Sequence, residues 1–316
     1  YNLSKSSNYI QTERIKKNKY WRYPSKYGEL EITINLSKPE KDPNEIAKAK
    51  DTAKNAYPLC LLCKENAGFA GNYNHPARQN LRLIPVELGA ETWFFQYSPY
   101  SYYNEHSIIL CPEHRPMEIN DKTFSRLVEF ISKFPHYSIG SNADLPIVGG
   151  SILSHDHYQA GRHTFPMESA QTVKEFESVR YSGLKISILR WPLSTLRLDC
   201  DDPGVIISAS GYILGKWKNY SDTDAGILAF SSDKPHNAIT PIARRTGGGG
   251  YQMDLVLRNN RATAGSPHGL FHPRESLHHI KKENIGLIEV LGLAILPGRL
   301  DAELQEVRQI LEGKLM

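Results

Sequence analysis

The densest run of chemically capable residues in this 316-residue chain is Gly149-Gly150-Ser151-Ile152-Leu153-Ser154-His155-Asp156-His157-Tyr158-Gln159. On an extended segment, alternation puts the rings of His155 and His157 on one face, one pleat apart, with Gln159 on the same face. Two neighbouring imidazoles can share a metal, or one can be structural while the other works. A lone H-x-H reads more simply as a pair of core or solvated histidines. The residues around this one point elsewhere. Gly150 and Ser151 are small enough to let a phosphate approach backbone N–H groups, and Gln159 is a neutral hydrogen-bond donor. Asp156 alternates to the other face and is assigned no catalytic role.

The second constellation is Cys60-Leu61-Leu62-Cys63. Two intervening residues let both thiolates reach one tetrahedral ion. A redox pair needs a strand-to-helix setting that Pro58 and Leu59 do not supply, and a buried thiol pair is the plain alternative. No second C-x-x-C exists, so histidines are expected to complete the set. His114, in Cys111-Pro112-Glu113-His114, and His155 are the candidates, with Cys111 the rival third ligand. The glycine run Gly247 to Gly250 lacks the Lys and Ser of a phosphate loop and reads as a hairpin.

These residues need elements to hold them. Ser151 to Ser154 reads as a strand running straight into His155-Asp156-His157. Trp93 to Tyr97 and Ser107 to Leu110 read as strands too. Asp121 is placed as the cap of a helix on which Phe124, Leu127, Val128, Ile131 and Phe134 recur at helical spacing. Upstream, Leu30 to Ile34 alternates like a strand, Pro39 and Pro43 punctuate its exit, and Asn44 to Lys54 reads as a short solvent-facing helix. Downstream, strands are predicted at Ile186 to Leu189, Thr195 to Leu198, Gly226 to Phe230, Ile239 to Ala243 and Tyr251 to Leu257. Helices are predicted from about Gly204 to Trp217 and from Leu300 to Leu311. Strand-strand-helix-strand thus occurs twice, which suggests a duplicated α+β unit. The division read from this is an N-terminal extension, residues 1–56, a first half, 57–180, and a second half, 181–316.

Composition bounds the rest. With 40% hydrophobic and 23% charged residues the chain is globular, and a formal net charge of +4 suits a small anionic ligand rather than a nucleic-acid duplex. Tyr1-Asn2-Leu3 does not open a signal peptide, and the longest apolar run, Ile285 to Leu296, is too short and interrupted to span a bilayer. Four cysteines in this length are no disulfide framework. A soluble cytoplasmic protein with reduced thiols, not a membrane protein, is expected.

The motif Ser154-His155-Asp156-His157-Tyr158-Gln159 resembles the H-x-H-x-Q signature of the transferase branch of the histidine-triad superfamily. Leu59 to Asn66, Gln96-Tyr97-Ser98-Pro99-Tyr100, Phe134-Pro135-His136-Tyr137, Gly140 to Pro146 and His278 to Gly286 extend the likeness. Together they resemble the second, bacterial class of galactose-1-phosphate uridylyltransferases over nearly the whole chain, members of which extend further at both ends. The resemblance implies an α+β fold of two histidine-triad-like halves, each a mostly antiparallel sheet with packed helices, assembled as a homodimer. It implies that His157 attacks the α-phosphorus of UDP-glucose and that galactose 1-phosphate then accepts the uridylyl group, with Gln159 donating to a phosphate oxygen. It implies a structural zinc on Cys60, Cys63, His114 and His155, hexose contacts from Lys282, Asn284 and Glu289, and a uridine contact from Asn142. Some relatives hold iron; His236 and His268 match two of its ligands, but Leu270 falls where a third belongs, so no iron is expected here. The alternatives are a nucleoside diphosphate-sugar or dinucleoside polyphosphate phosphorylase using the same His157, and a catalytically silent zinc-stabilised nucleotide-sugar binder.

Overall fold

Runs of alternating or β-branched residues set the architecture, and two well-capped helices fill one side of it. In a computed structural model, residues 1–37, 57–72, 75–149, 152–281 and 285–314 are described. The predicted helix at Asn44 to Lys54 and the site residues Gly150, Ser151, Lys282 and Asn284 lie outside them.

Two short helices, α1 (Asn2–Ser6) and α2 (Thr12–Ile15), precede a hairpin of β1 (Lys19–Ser25) and β2 (Gly28–Asn35). A first set of elements then runs β3 (Ile84–Leu88), β4 (Glu91–Tyr97), β5 (Ser107–Leu110), α3 (Asp121–Lys133), β6 (Ser138–Gly140) and β7 (His157–Gly161). A second set runs β8 (Thr172–Glu177), β9 (Lys185–Leu189), β10 (Thr195–Cys200), α4 (Pro203–Lys218), a minimal hairpin of β11 (Phe230–Ser231) and β12 (Lys234–Pro235), then β13 (Asn237–Arg245) and β14 (Tyr251–Asn259). The chain continues through α5 (Leu287–Val290), β15 (Leu293–Pro297) and α6 (Leu300–Leu311). β15 joins β2 in parallel, giving a small three-stranded sheet.

The large sheet has ten strands in the order β3-β4-β5-β7-β6-β13-β14-β10-β9-β8, each described pairing in it antiparallel. From its two edges inward the order is the same: three sequential strands, then the fifth of the set, then the fourth. In each set the helix falls between third and fourth strands. β6 and β13 meet at the centre, with Gly140 opposite Ile242.

Capping starts both helices. The Asn120 side chain accepts from Lys122 N and Thr123 N while Thr123 Oγ1 accepts from Asn120 N, so the cap of α3 is Asn120 and the expected cap, Asp121, is the first helical residue. Asp202 caps α4, with Pro203 at its first position. Phe124, Leu127 and Ile131 of α3 and Ile206 and Ala209 of α4 pack with Tyr158, Ile139, Leu198, Ile239, Met253 and Leu255 of the sheet in one buried cluster. Tyr158 and Ala160 therefore face the helices, and alternation turns His157 and Gln159 to the opposite face.

That opposite face is covered by Phe165, Met167, Leu287, Ile288, Val290 and Leu291 packed on Ile242 and Val256. The cover sits close: a Cβ on Gly140 would come within 2.9 Å of Leu287 Cδ1. The apolar stretch from Ile285 to Leu296 divides into α5 and β15 at Gly292, whose φ of +100° and 2.8 Å approach of a built Cβ to Pro166 exclude other residues.

Two expected strands fail. Leu153 and Ser154 form a turn, because Leu153 O accepts from Met117 N and the chain must bend to bring Asp156 against Arg115. Gly226 to Phe230 makes only an isolated bridge, Ile227 to Asp222, before the two-residue β11. No helix among the described residues is long and apolar enough to cross a membrane.

Candidate active site

The site forms where β5 and β7 end side by side, with Leu110 opposite His157. Beyond that register the segments stay tied: Cys111 N donates to Asp156 O (3.0 Å) and Asp156 N donates to Arg115 O (2.7 Å). His114 and His155 are thereby brought to one place, their rings 5.1 Å apart.

The C-x-x-C turn packs against them. Cys60 Sγ lies 3.6 Å from Cys63 Sγ and 3.3 Å from His155 Nδ1, and Cys63 Sγ lies 3.2 Å from His114 Nδ1. All four ligand atoms fall within 4.8 Å of one another, a cluster that could hold a metal ion. The support is also present. His155 Nε2 donates to Cys111 O (2.9 Å), which leaves Nδ1 as the ligand nitrogen. Buried Asn66 donates to Cys60 O and Cys63 O (2.9 and 2.7 Å), closing the turn. Burial pushes the Cys60 thiol up to about 12, so the thiolates this geometry invites need a cation. Cys111, the rival ligand, is buried outside the cluster and contributes its backbone N–H and carbonyl rather than its thiol.

His157 is 6% exposed at the start of β7. Its Nδ1 is 2.8 Å from His155 O, a carbonyl that can only accept, so the proton sits on Nδ1 and the lone pair on Nε2. Burial holds its pKa down at about 4, which keeps the imidazole neutral. His155 and His157 do not share a strand: His155 lies in the bend before β7, its ring turned to the cysteines. Asp156 turns towards Arg115 (3.7 Å) and Glu91 binds both Arg115 and Arg126 (3.0 and 2.8 Å).

Gln159, two residues on, receives a contact that the sequence did not suggest. Its Oε1 lies 3.3 Å from Nε2 of His106, a histidine 2% exposed at the mouth of β5. A signal existed in principle, since His106 precedes the strand that pairs with β7, but nothing local marks it.

Asn142 is buried and its Oδ1 accepts from Leu287 N (2.8 Å), fixing the start of α5. Glu289, on α5, binds Lys281 and accepts from Gly286 N (3.2 Å). Glu289 belongs to the segment that covers the sheet, and Asn142 is tied to that segment through Leu287 N. His236 and His268 are not brought into a ligand set. Both nitrogens of His236 are engaged, by Asn260 and Ser231 at 2.8 Å each, while His268 packs on His272 and His278.

Comparison with known proteins gives two family-model matches, to "Galactose-1-phosphate uridyl transferase, N-terminal domain" over residues 1–116 and to its C-terminal domain over residues 129–312. A protein named galactose-1-phosphate uridylyltransferase from Caldanaerobacter subterraneus subsp. tengcongensis is 61% identical over 99% of this chain and 61% of its own length. One of the same name from Bacillus subtilis is 58% identical over 97% of this chain and 60% of its own length. The chain thus spans about three-fifths of the length of these relatives. Among solved structures, yeast Ap4A phosphorylase Apa2 in complex with Ap4A matches with a TM-score of 0.52 at 11% identity, covering 100% of this chain and 93% of that one, a likeness of fold. With the C-terminal domain model alone covering more than half of its residues, the chain belongs to the galactose-1-phosphate uridyl transferase family.

Proposed function

We propose that this protein transfers a uridylyl group from UDP-glucose to galactose 1-phosphate through a covalent histidine, His157. The observation that carries the reading is the tautomer of that histidine. A ring held neutral by burial, with its proton committed to His155 O, has its nucleophilic lone pair on Nε2. In the first half-reaction Nε2 forms a bond to the α-phosphorus of UDP-glucose and the bridging P–O bond breaks, releasing glucose 1-phosphate with the electron pair. In the second, a phosphate oxygen of galactose 1-phosphate attacks the same phosphorus, the N–P bond breaks, and UDP-galactose leaves. Gln159 donates its amide N–H to a non-bridging oxygen, where charge accumulates in both transition states.

The metal in this reading is zinc. Tetrahedral zinc with ligand bonds of about 2.3 Å to sulfur and about 2.0 Å to nitrogen requires S–S and S–N edges of about 3.8 and 3.5 Å. Four of the six distances among Cys60, Cys63, His114 and His155, 3.2 to 3.7 Å, lie near those edges, and all six are within 4.8 Å. Four protein ligands make a closed, structural site that anchors His155 and, through its carbonyl, orients His157. Gly150 and Ser151 would approach the phosphates; Lys282, Asn284 and Glu289 the hexose; Asn142 the nucleoside. The two-half organisation, residues 57–180 and 181–316, is supported by the repeated strand order, with β8 of the earlier half lying on the sheet of the later one. We assign the protein to the cytoplasm as a homodimer.

The test is to mix UDP-glucose with galactose 1-phosphate and follow UDP-galactose. Parallel double-reciprocal plots are expected, because a covalent intermediate separates the half-reactions. Intersecting lines, or turnover only with inorganic phosphate as acceptor, would contradict the reading.

A further inference from the structure

Among the described residues His106 makes one side-chain hydrogen bond, to the amide of Gln159, and everything around it restricts what that bond can be. The ring is 2% exposed, flanked by Tyr103 at 4.4 Å and Tyr102 at 5.4 Å between centroids. Its backbone is held by Ser98 N donating to His106 O (2.8 Å) and His106 N donating to Tyr103 O (3.2 Å). Nε2 is 3.3 Å from Gln159 Oε1, and Nδ1 is buried with no partner among the described residues. Burial pulls the pKa down to about 4, so the ring carries a single proton at neutral pH.

That proton has two possible seats. On Nδ1 it would be a buried N–H without an acceptor, and the Nε2 lone pair would confront the lone pairs of Gln159 Oε1. On Nε2 it makes the one available hydrogen bond and leaves only a ring lone pair unmet, a lesser cost. His106 is therefore the Nε2–H tautomer, donating to Oε1. A carboxamide whose oxygen is held in this way cannot turn over, so its NH2 group is the end left to face a ligand. Turned over, it would offer an oxygen to an anionic phosphoryl group, replacing attraction by repulsion.

We propose that His106 is a positioning residue for nucleotidyl transfer: as the neutral Nε2–H tautomer it pins the Gln159 carboxamide so that its NH2 group, not its oxygen, meets the phosphate. The proposal rests on the function given above. It makes no contact with substrate a requirement for His106, which acts through Gln159 alone.

The experiment compares His106→Phe, which keeps a ring between the tyrosines, with His106→Gln, whose amide N–H can reach the place of Nε2. Single-turnover labelling by UDP-glucose measures the chemical step. Removing one preorganised donor from a charge-stabilising site lowers a rate by about 100- to 1,000-fold, and misorienting it is expected to cost about 10- to 100-fold. His106→Phe should show that loss with KM and metal content close to wild type, and His106→Gln should recover most of it. In a Gln159→Ala background His106→Phe should add nothing. A wild-type rate in His106→Phe, or an undiminished further loss in the Gln159→Ala background, overturns the proposal. Imidazole 15N chemical shifts of the wild-type protein give a second measure that survives any folding defect: Nε2–H is expected, and Nδ1–H overturns the proposal. That measure is independent of turnover, so absence of labelling in the wild type would count against the proposed function and leave the tautomer to be decided separately.

Discussion

Replacing Asp254 by asparagine isolates the ion cluster beneath the covering segment. Asp254 is fully buried on β14 and serves two guanidinium groups. Arg197 contacts it in a fork, Nε to Oδ1 at 2.7 Å and Nη2 to Oδ2 at 3.0 Å, and Arg244 binds Oδ2. Arg197 also donates to Met167 O and Glu168 O (2.9 and 3.0 Å), so the carboxylate indirectly fastens residues 166–169 over the sheet. Breaking a buried pair on one side costs about 3–5 kcal/mol because the partner charge is stranded. Asparagine keeps one acceptor, which places Asp254→Asn near the lower end, about 3 kcal/mol. At roughly 2 °C per kcal/mol for a chain of this size, the thermal midpoint should fall by about 6 °C at neutral pH. The pH dependence gives a second handle. The neighbouring guanidinium groups hold the Asp254 carboxyl below its usual 3.8 despite its burial. A depressed carboxyl stabilises fully above the unfolded value and loses its contribution as pH falls through the folded one. The gap between wild type and Asp254→Asn should therefore be constant from neutral pH down to about 4 and narrow below it. Calorimetric melts across that range would refute the reasoning if the variant matched wild type at neutral pH, or if the gap widened on acidification.

Two further outcomes follow from the site. Cys60→Ser should lose about one bound metal ion per chain and lower thermal stability while retaining more activity than a His157 substitution, since the metal only supports the nucleophile; full metal content in Cys60→Ser, or loss of metal in Cys111→Ser but not in His114→Ala, would contradict the ligand set. His106, held near 4 in the folded chain against about 6.5 unfolded, binds its proton more readily when unfolded, so its burial stabilises above about 6.5 and progressively less as pH falls towards 4. By about pH 5 this amounts to about 2 kcal/mol, and urea titrations of His106→Phe should show a correspondingly flatter acid limb than wild type.

Local signals in the sequence resolved most of the frame. Apolar spacing located α3 and α4, and the expected Leu300 to Leu311 helix is α6 to the residue. The cysteine spacing and the shortage of other thiols led to Cys60, Cys63, His114 and His155, which the fold gathers. The misreadings come where distant segments decide. Alternation placed His155 on a strand with His157, but backbone bonds from Asp156 to Cys111 and Arg115 bend the chain and turn the two rings to different tasks. Asn120 caps α3 in place of Asp121 because its side chain reaches two N–H groups of the first turn, and both residue types suit the position equally in sequence. The division of the Ile285 to Leu296 stretch depends on Pro166 and Trp191 crowding Gly292. His106 was invisible for the same reason: its partner lies 53 residues away, across β5 and β7.

The central claim is that His157 Nε2 carries the uridylyl group. Incubating the protein with UDP-glucose labelled in the uridine, quenching, and isolating the protein should recover label as a phosphoramidate, stable in alkali and released by acid. The adduct should map to His157, be discharged by galactose 1-phosphate as UDP-galactose, and be absent from His157→Gly. Label retained on His157→Gly, or UDP-galactose formed by wild type with no protein-bound uridylate at any time, would contradict the account.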